Sequence, residues 1–111
     1  MGNPIRRAYT PLDSGPQAPF PLDWLPVAQT TIGVFIVDGA ATFGIEWTLD
    51  DVNDPAVTPR WFPSEEIPAG TAATKYAAVH NPWLFGRINF SLITGNVELK
   101  VQQAFTTGNR Y

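Results

Sequence analysis

Side chains able to do chemistry are few in this chain, and most of them gather in one place. Asp50, Asp51, Asn53 and Asp54 bring four oxygen donors together in five residues, the hard ligand type that holds Ca²⁺. Their spacing is not the Asp-x-Asp-x-Asp-Gly of a calcium loop, and no Glu stands at the bidentate position. The same side chains form turns and cap helix starts, which is the reading the spacing favours. A glycosidase needs two carboxylates facing across a cleft with one kept protonated; acids are present, but nothing in the sequence poises one. The single histidine, His80, could be combined with Ser64 or Ser91, yet neither serine sits in a nucleophile-elbow pattern. There is no glycine-rich phosphate loop. With no cysteine there is neither disulfide nor thiolate, and one histidine cannot build a His/Cys zinc site. The expectation is a protein that is not an enzyme and carries no metal or cofactor.

Aromatic side chains are the other possible source of recognition. Trp24, Trp61 and Trp83 each lie beside a proline or a turn; exposed, they could stack on sugar rings. The competing reading puts them in the core or in docking contacts, because a small sandwich without disulfides needs that area. Charge narrows the partners further. The net charge is −3, no basic run exists to neutralise phosphates, and nucleic acid is not expected as a partner. No apolar run reaches the length of a membrane span, and the N-terminus lacks a signal-peptide core. The protein is expected to act in the cytoplasm where it is made, or in a particle assembled there.

The elements that must position these residues are strands. Val27 to Asp38 reads as one strand, with Ile32, Val34 and Ile36 on one face and Phe35 and Val37 on the other; apolar residues on both faces predict cover on both sides. Asp38-Gly39 is a turn signal. Phe43, Ile45, Trp47 and Leu49 then alternate with Thr42, Gly44, Glu46 and Thr48, which predicts a second strand and a hairpin with the first. Asp50 to Pro68 is a long acidic loop, with one helical turn fitting at Asp54-Pro55-Ala56-Val57 and Trp61 and Phe62 packing the loop. Lys75 to His80 is a short strand. Trp83 to Thr94 is a strand with Ile88, Phe90 and Leu92 inward. Thr94-Gly95-Asn96 reads as a tight hairpin turn into Val97, Leu99 and Val101. Six to eight short strands with almost no helical pattern predict an all-β fold: an antiparallel β-sandwich or jelly-roll body.

Residues 1–26 differ from the rest. They hold six of the eleven prolines, and Arg6, Arg7, Asp13 and Asp23 balance to zero. Proline fixes φ and biases its predecessor to extended conformations, so this segment is expected to be an extended arm, with residues 27–111 as the single domain. Apolar residues are nonetheless spread along it. One reading is a disordered tail whose last ten residues pack on the body; the sharper one is an arm lying on a neighbouring subunit, at low entropic cost.

The stretch from about Thr42 to Phe105 also resembles a known group. The carriers are Thr48, Asp50, Asp51, Asp54 and Pro55, then Trp61 and Phe62, then Arg87, Ile88 and Asn89, and last Gly95, Val97, Leu99, Val101 and Gln103. In this order the pattern resembles the small capsid decoration, or staple, proteins of tailed bacteriophages of the epsilon15-like podovirus type. The resemblance implies a sandwich or jelly roll seated on the outer surface of a virion. It implies the major capsid (coat) protein as partner and a homodimer near two-fold positions, clamping neighbouring coat subunits. It brings no catalytic or ligand residues. On this reading the partner contacts would come from the arm, through Ile5, Arg6, Arg7, Tyr9, Leu12, Phe20, Leu22 and Trp24, and from the loop, through Asp51, Asp54, Trp61 and Phe62. The alternatives are a carbohydrate-binding module on a virion or cell surface, and a head-completion or tail-attached protein.

Overall fold

A computed structural model describes residues 4–22, 27–79 and 83–105. Among them are nine strands and no helix: β1 (Ile5–Tyr9), β2 (Gly15–Pro16), β3 (Phe20–Pro21), β4 (Val27–Ile36), β5 (Ala41–Thr48), β6 (Trp61–Pro63), β7 (Lys75–Val79), β8 (Phe85–Ile93) and β9 (Val97–Phe105). They make two antiparallel sheets. The first has the order β1-β9-β4-β7; the second has the order β2-β8-β5-β6, with β3 also paired to β8. The all-β class and the two antiparallel sheets expected from the alternation are both present.

The core comes from the alternating positions of the central strands. Ile32 and Val34 on β4 meet Val97, Leu99 and Val101 on β9, while Phe43, Ile45 and Trp47 on β5 meet Ile88 and Phe90 on β8; all are buried. Aromatic edge contacts tie this interior together: Tyr9 to Phe90 at 5.2 Å, Phe43 to Phe90 at 6.2 Å and Phe20 to Trp47 at 6.2 Å between ring centroids. Each buried side chain of this size contributes about 1.5–3 kcal/mol, which is how a short chain without disulfides holds together.

Neither expected hairpin forms. β4 and β5 lie in different sheets, as do β8 and β9. The Asp38-Gly39 and Thr94-Gly95-Asn96 turns are corners at which the chain crosses from one sheet to the other. Long-range pairing decides this: β4 runs against β9 from Val27 to Ile36, and β5 runs against β8 from Ala41 to Thr48. The result is one two-stranded ribbon folded over, so that half of it lies in each sheet. The two corners are laced at the fold. Asp38 Oδ1 accepts from the Asn96 N–H at 2.8 Å, the Val37 N–H donates to the Asn96 carbonyl at 2.9 Å, and the Thr94 N–H donates to the Ala40 carbonyl at 2.8 Å. A side chain at Gly95 would collide with the Asp38 carbonyl oxygen, so glycine is required there by close approach of backbone.

The apolar phase also shifts once. Register slips between Thr42 and Phe43, which leaves one extra residue on β8, a bulge that reverses the facing of the residues beyond it. Leu92, expected inward, is therefore exposed, and Ile93 is buried in its place. Leu49 is exposed as well, because β5 ends at Thr48.

The N-terminal segment is expected to be an extended arm, but residues 5–22 form three short strands that lie on the chain's own sandwich. β1 pairs along β9 from Ile5↔Val101 to Tyr9↔Val97. β2 and β3 bridge β8 at Gly15↔Phe90 and Phe20↔Gly86. Tyr9, Phe20 and Leu22 belong to the core. The prolines permit this because β1, β2 and β3 sit at the sheet edges, where a missing donor costs no ladder bond. The connection between β1 and β2 crosses between sheets through a turn at Thr10–Asp13, where Asp13 Oδ2 accepts from the Thr10 N–H at 2.8 Å.

Candidate functional site

The outer face of the first sheet carries the apolar surface that the fold leaves uncovered. Alternation puts Gly33 and Phe35 of β4 on this face, opposite Ile32 and Val34. The registers then align Arg6, Lys100, Gly33 and Tyr76 across the four strands, and Ala8, Glu98 and Phe35 in the next row. Gly33 has no side chain, so the row dips at its centre into a groove of about 380 Å³ between Phe35 and Tyr76, rimmed by Thr74, Lys75, Glu98 and Lys100. Tyr76 is 81 % exposed and Phe35 52 %. A smaller hollow of about 210 Å³ lies toward β1 beside Arg6, sharing Glu98 and Lys100 with the groove. Cover on both faces of β4 was expected from its two apolar stripes; among the described residues only the inner face is covered.

This face is basic in a protein that is acidic overall. Arg6 and Lys100 stand against Glu98 alone, with Lys75 reaching the rim from the other face of edge strand β7, whereas the net charge of the chain is −3. Two aromatic walls, a flat glycine floor and a basic rim form a surface that recognises by area and charge. Among the described residues it contains no nucleophile and no general base set against an orienting partner.

The residues expected to meet a partner are spread over the fold. Tyr9, Phe20 and Leu22 are buried in the chain's own core, and Ile5 packs against it. Arg7 reaches the Ala18 and Pro19 carbonyls at 3.5 Å. Arg6 is exposed on the outer face, and Leu12, at the tip of the β1–β2 turn, is 92 % exposed. Trp24 and His80 lie outside the described residues. Burial pushes the Tyr9 hydroxyl above its ordinary pKa near 10.0, with Arg7 opposing the shift and Asp13 adding to it. That hydroxyl has no hydrogen-bond partner among the described residues.

The acidic loop is built as the turn-former reading expected. Asp51 Oδ1 accepts from the Asn53 N–H and Asp54 Oδ1 from the Ala56 N–H, both at 2.9 Å. Asp50 Oδ2 accepts from the Arg60 N–H at 2.8 Å and draws the two ends of the loop together. In place of a helical turn, the Val57 N–H donates to the Asp54 carbonyl at 3.1 Å in a single bend. Trp61 lies beneath Arg87, whose Cζ is 4.1 Å from its ring centroid and whose Nε donates to Glu46 Oε1 at 2.6 Å. Phe62, on the opposite face of β6, is 45 % exposed and packs on Trp83 at 5.6 Å.

Of the expected contact residues, the fold thus brings Arg6 to the basic face and leaves Leu12 and Phe62 at separate places on the surface. Phe35, Tyr76, Lys75 and Lys100 were not singled out from sequence. The available signal was a large aromatic on the outer stripe of β4 next to a mid-strand glycine; a glycine there often marks close approach by another surface. Comparison of the chain with protein-family models, with characterised proteins and with solved structures finds no match in any of the three.

Proposed function

We propose that this is a structural virion protein that binds the outside of an assembled phage capsid and staples neighbouring coat subunits, stabilising the DNA-filled shell. The observation that carries the reading is the uncovered aromatic and basic face of the first sheet, which suits an acidic protein surface as its partner. The sequence resemblance supports it independently, and the folded ribbon of β4, β5, β8 and β9 is the kind of wiring a jelly roll uses. The contacts are then Phe35, Tyr76, Arg6 and Lys100 on the face, with Leu12 as a separate contact at the tip of the β1–β2 turn; the homodimer belongs to the same proposal. Binding only the formed lattice shifts the equilibrium away from disassembly, and repetition over many sites multiplies a modest affinity.

The test uses shells that lack the protein. Purified wild-type protein should co-sediment with them, and the Phe35→Ser/Tyr76→Ser variant should bind at least about tenfold more weakly, the usual size of a central aromatic contact. Shells carrying the protein should release DNA at a higher temperature than bare ones; equal resistance with and without it would end the proposal. Separate assay of heads and tails distinguishes a head-completion or tail-attached protein. The glycan alternative loses one of its three tryptophans as an open platform, since Trp61 is covered by Arg87.

A further inference from the structure

The free edge of the second sheet holds two aromatic–carboxylate sets, one on each face of β6. On the outer face the set is complete. Trp61 supplies the ring, Glu46 the carboxylate, and Arg87 fills it, stacked at 4.1 Å and paired at 2.6 Å. On the inner face Phe62 and Trp83 supply the rings and Glu65 and Glu66 the carboxylates, around a notch of about 270 Å³ whose back wall is Trp47 and Ser64. No cationic side chain among the described residues fills it. Among those residues the one salt bridge is that of Arg87 with Glu46, so neither Glu65 nor Glu66 has a charged partner there.

The empty set is held in shape rather than collapsed. Trp83 is stacked nearly parallel on buried Trp47, at 6.5 Å and 9°. Ser64 is buried; its Oγ accepts from the Glu66 and Ile67 N–H groups at 3.2 and 3.1 Å and donates to Glu66 Oε1 at 3.1 Å. That fixes one carboxylate at the rim. The Ser64 N–H donates to the Ile45 carbonyl at 2.8 Å, which anchors the rim to β5. The surrounding charge has the same sign, since Asp50, Asp51, Asp54, Glu65 and Glu66 outnumber Arg60 along this loop. A field of that sign with two aromatic rings in contact attracts a planar cation, and guanidinium both stacks on rings and forks onto carboxylates.

We propose that the notch between Phe62, Trp83 and Glu65–Glu66 is a docking site for an arginine side chain of a partner protein. The guanidinium takes the place that Arg87 occupies on the other face, with its plane against Phe62 or Trp83 and its N–H groups on the Glu66 and Glu65 carboxylates. Its aliphatic stem covers the exposed edge of Phe62. The site is separate from the basic face of the first sheet and selects the opposite partner charge. The two therefore engage different surfaces, as a clamp between two neighbours requires. The inference stands on the notch itself and does not depend on the capsid reading.

The test needs only the soluble protein. Nα-acetyl-arginine amide is titrated in ¹H–¹⁵N spectra, with the indole N–H of Trp83 assigned from a Trp83→Phe variant. The expected result is a saturable shift of the Trp83 indole and of the Glu65 and Glu66 amides, with a Kd of about 1–10 mM for so small a probe. The neutral isostere Nα-acetyl-citrulline amide should leave these signals in place. Glu65→Gln, which spares the Ser64–Glu66 bond, should weaken binding about fivefold, and Glu65→Gln/Glu66→Gln at least about tenfold, with salt weakening wild-type binding in the same sense. Asp51→Asn, outside the notch, should bind as wild type. The proposal is overturned by any of three results: no shift at about 100 mM probe, about ten- to a hundredfold above the expected Kd; equal response to citrulline; or undiminished binding by the double variant. Maltose shifting the same signals and competing with the arginine probe would assign the notch to saccharide and overturn the proposal too.

Discussion

Gly86→Ala tests most sharply whether the N-terminal segment belongs to this sandwich. A Cβ at Gly86 would lie 2.6 Å from Trp47 Cζ3 and 2.7 Å from Phe20 Cε1 and Cζ. Carbon atoms in contact prefer about 3.5–4.0 Å, so both rings must retreat by about 1 Å. Neither has room, since Trp47 is 1 % and Phe20 0 % exposed and Trp47 is backed by Trp83. Overpacking of this kind costs about 2–3 kcal/mol, or a fall in Tm of about 10–20 °C for a chain of this size. Phe20→Leu alone should cost about 1–2 kcal/mol in lost contact. The double variant should cost only about 2 kcal/mol, because the smaller side chain vacates the space the new methyl needs, leaving a coupling of about 1–3 kcal/mol. Urea unfolding followed by tryptophan fluorescence gives all four free energies. Repeating it at two protein concentrations separates docking of Phe20 on its own chain from docking on another copy. Additivity within about 0.5 kcal/mol, or a neutral Gly86→Ala, would refute the placement of β3.

Three further outcomes are expected. Gly95→Ala should destabilise by about 3 kcal/mol in urea titrations, since its methyl meets the Asp38 carbonyl rather than a movable side chain. Tyr9→Phe should be neutral or stabilising by about 0.5–1 kcal/mol, because the buried hydroxyl it removes has no partner among the described residues. In the wild type the raised Tyr9 pKa favours the protonated form in the folded state; its contribution is full below the unfolded pKa near 10 and is lost as pH rises through the folded value. The wild type should therefore lose stability faster than Tyr9→Phe above about pH 10, as read by thermal melts at each pH. Asp50→Ala removes the acceptor for the Arg60 N–H and should cost about 1–2 kcal/mol of loop closure, seen as faster amide exchange at Arg60 and faster tryptic cleavage after it.

What the sequence made legible was local alternation. The period-two runs in Val27–Asp38, Thr42–Leu49 and Val97–Gln103 place strands and their inward faces, and the Asx pattern of Asp51 and Asp54 places turns. What it did not carry was partnership. Asp38-Gly39 and Gly95-Asn96 have the chemistry of hairpin turns, and only the long pairing of β4 with β9 and β5 with β8 makes them corners. The phase slip at Thr42/Phe43 is equally silent, since Leu92 and Ile93 are both apolar and only the bulge decides which is buried. Six prolines made the first 26 residues look like an arm; the apolar residues Tyr9, Phe20 and Leu22 within it were the signal for docking, and the choice of surface depends on edges the sequence does not display. The face around Gly33 emerges only when four strands from distant parts of the chain are laid side by side.

The folded ribbon also sets the order in which this chain can be made. Ile36 pairs with Val97 and Ala41 with Ile93, partners about half the chain apart, so no strand of the ribbon can zip from its own turn. Closing such loops precedes any gain from pairing and slows folding. β1, β2 and β3 leave the ribosome well before their partners, β8 and β9. Residues 5–22 therefore wait unpaired until β8 and β9 have been made. In a cell producing many copies at once, that interval is when Tyr9 and Phe20 are open to the cores of other copies.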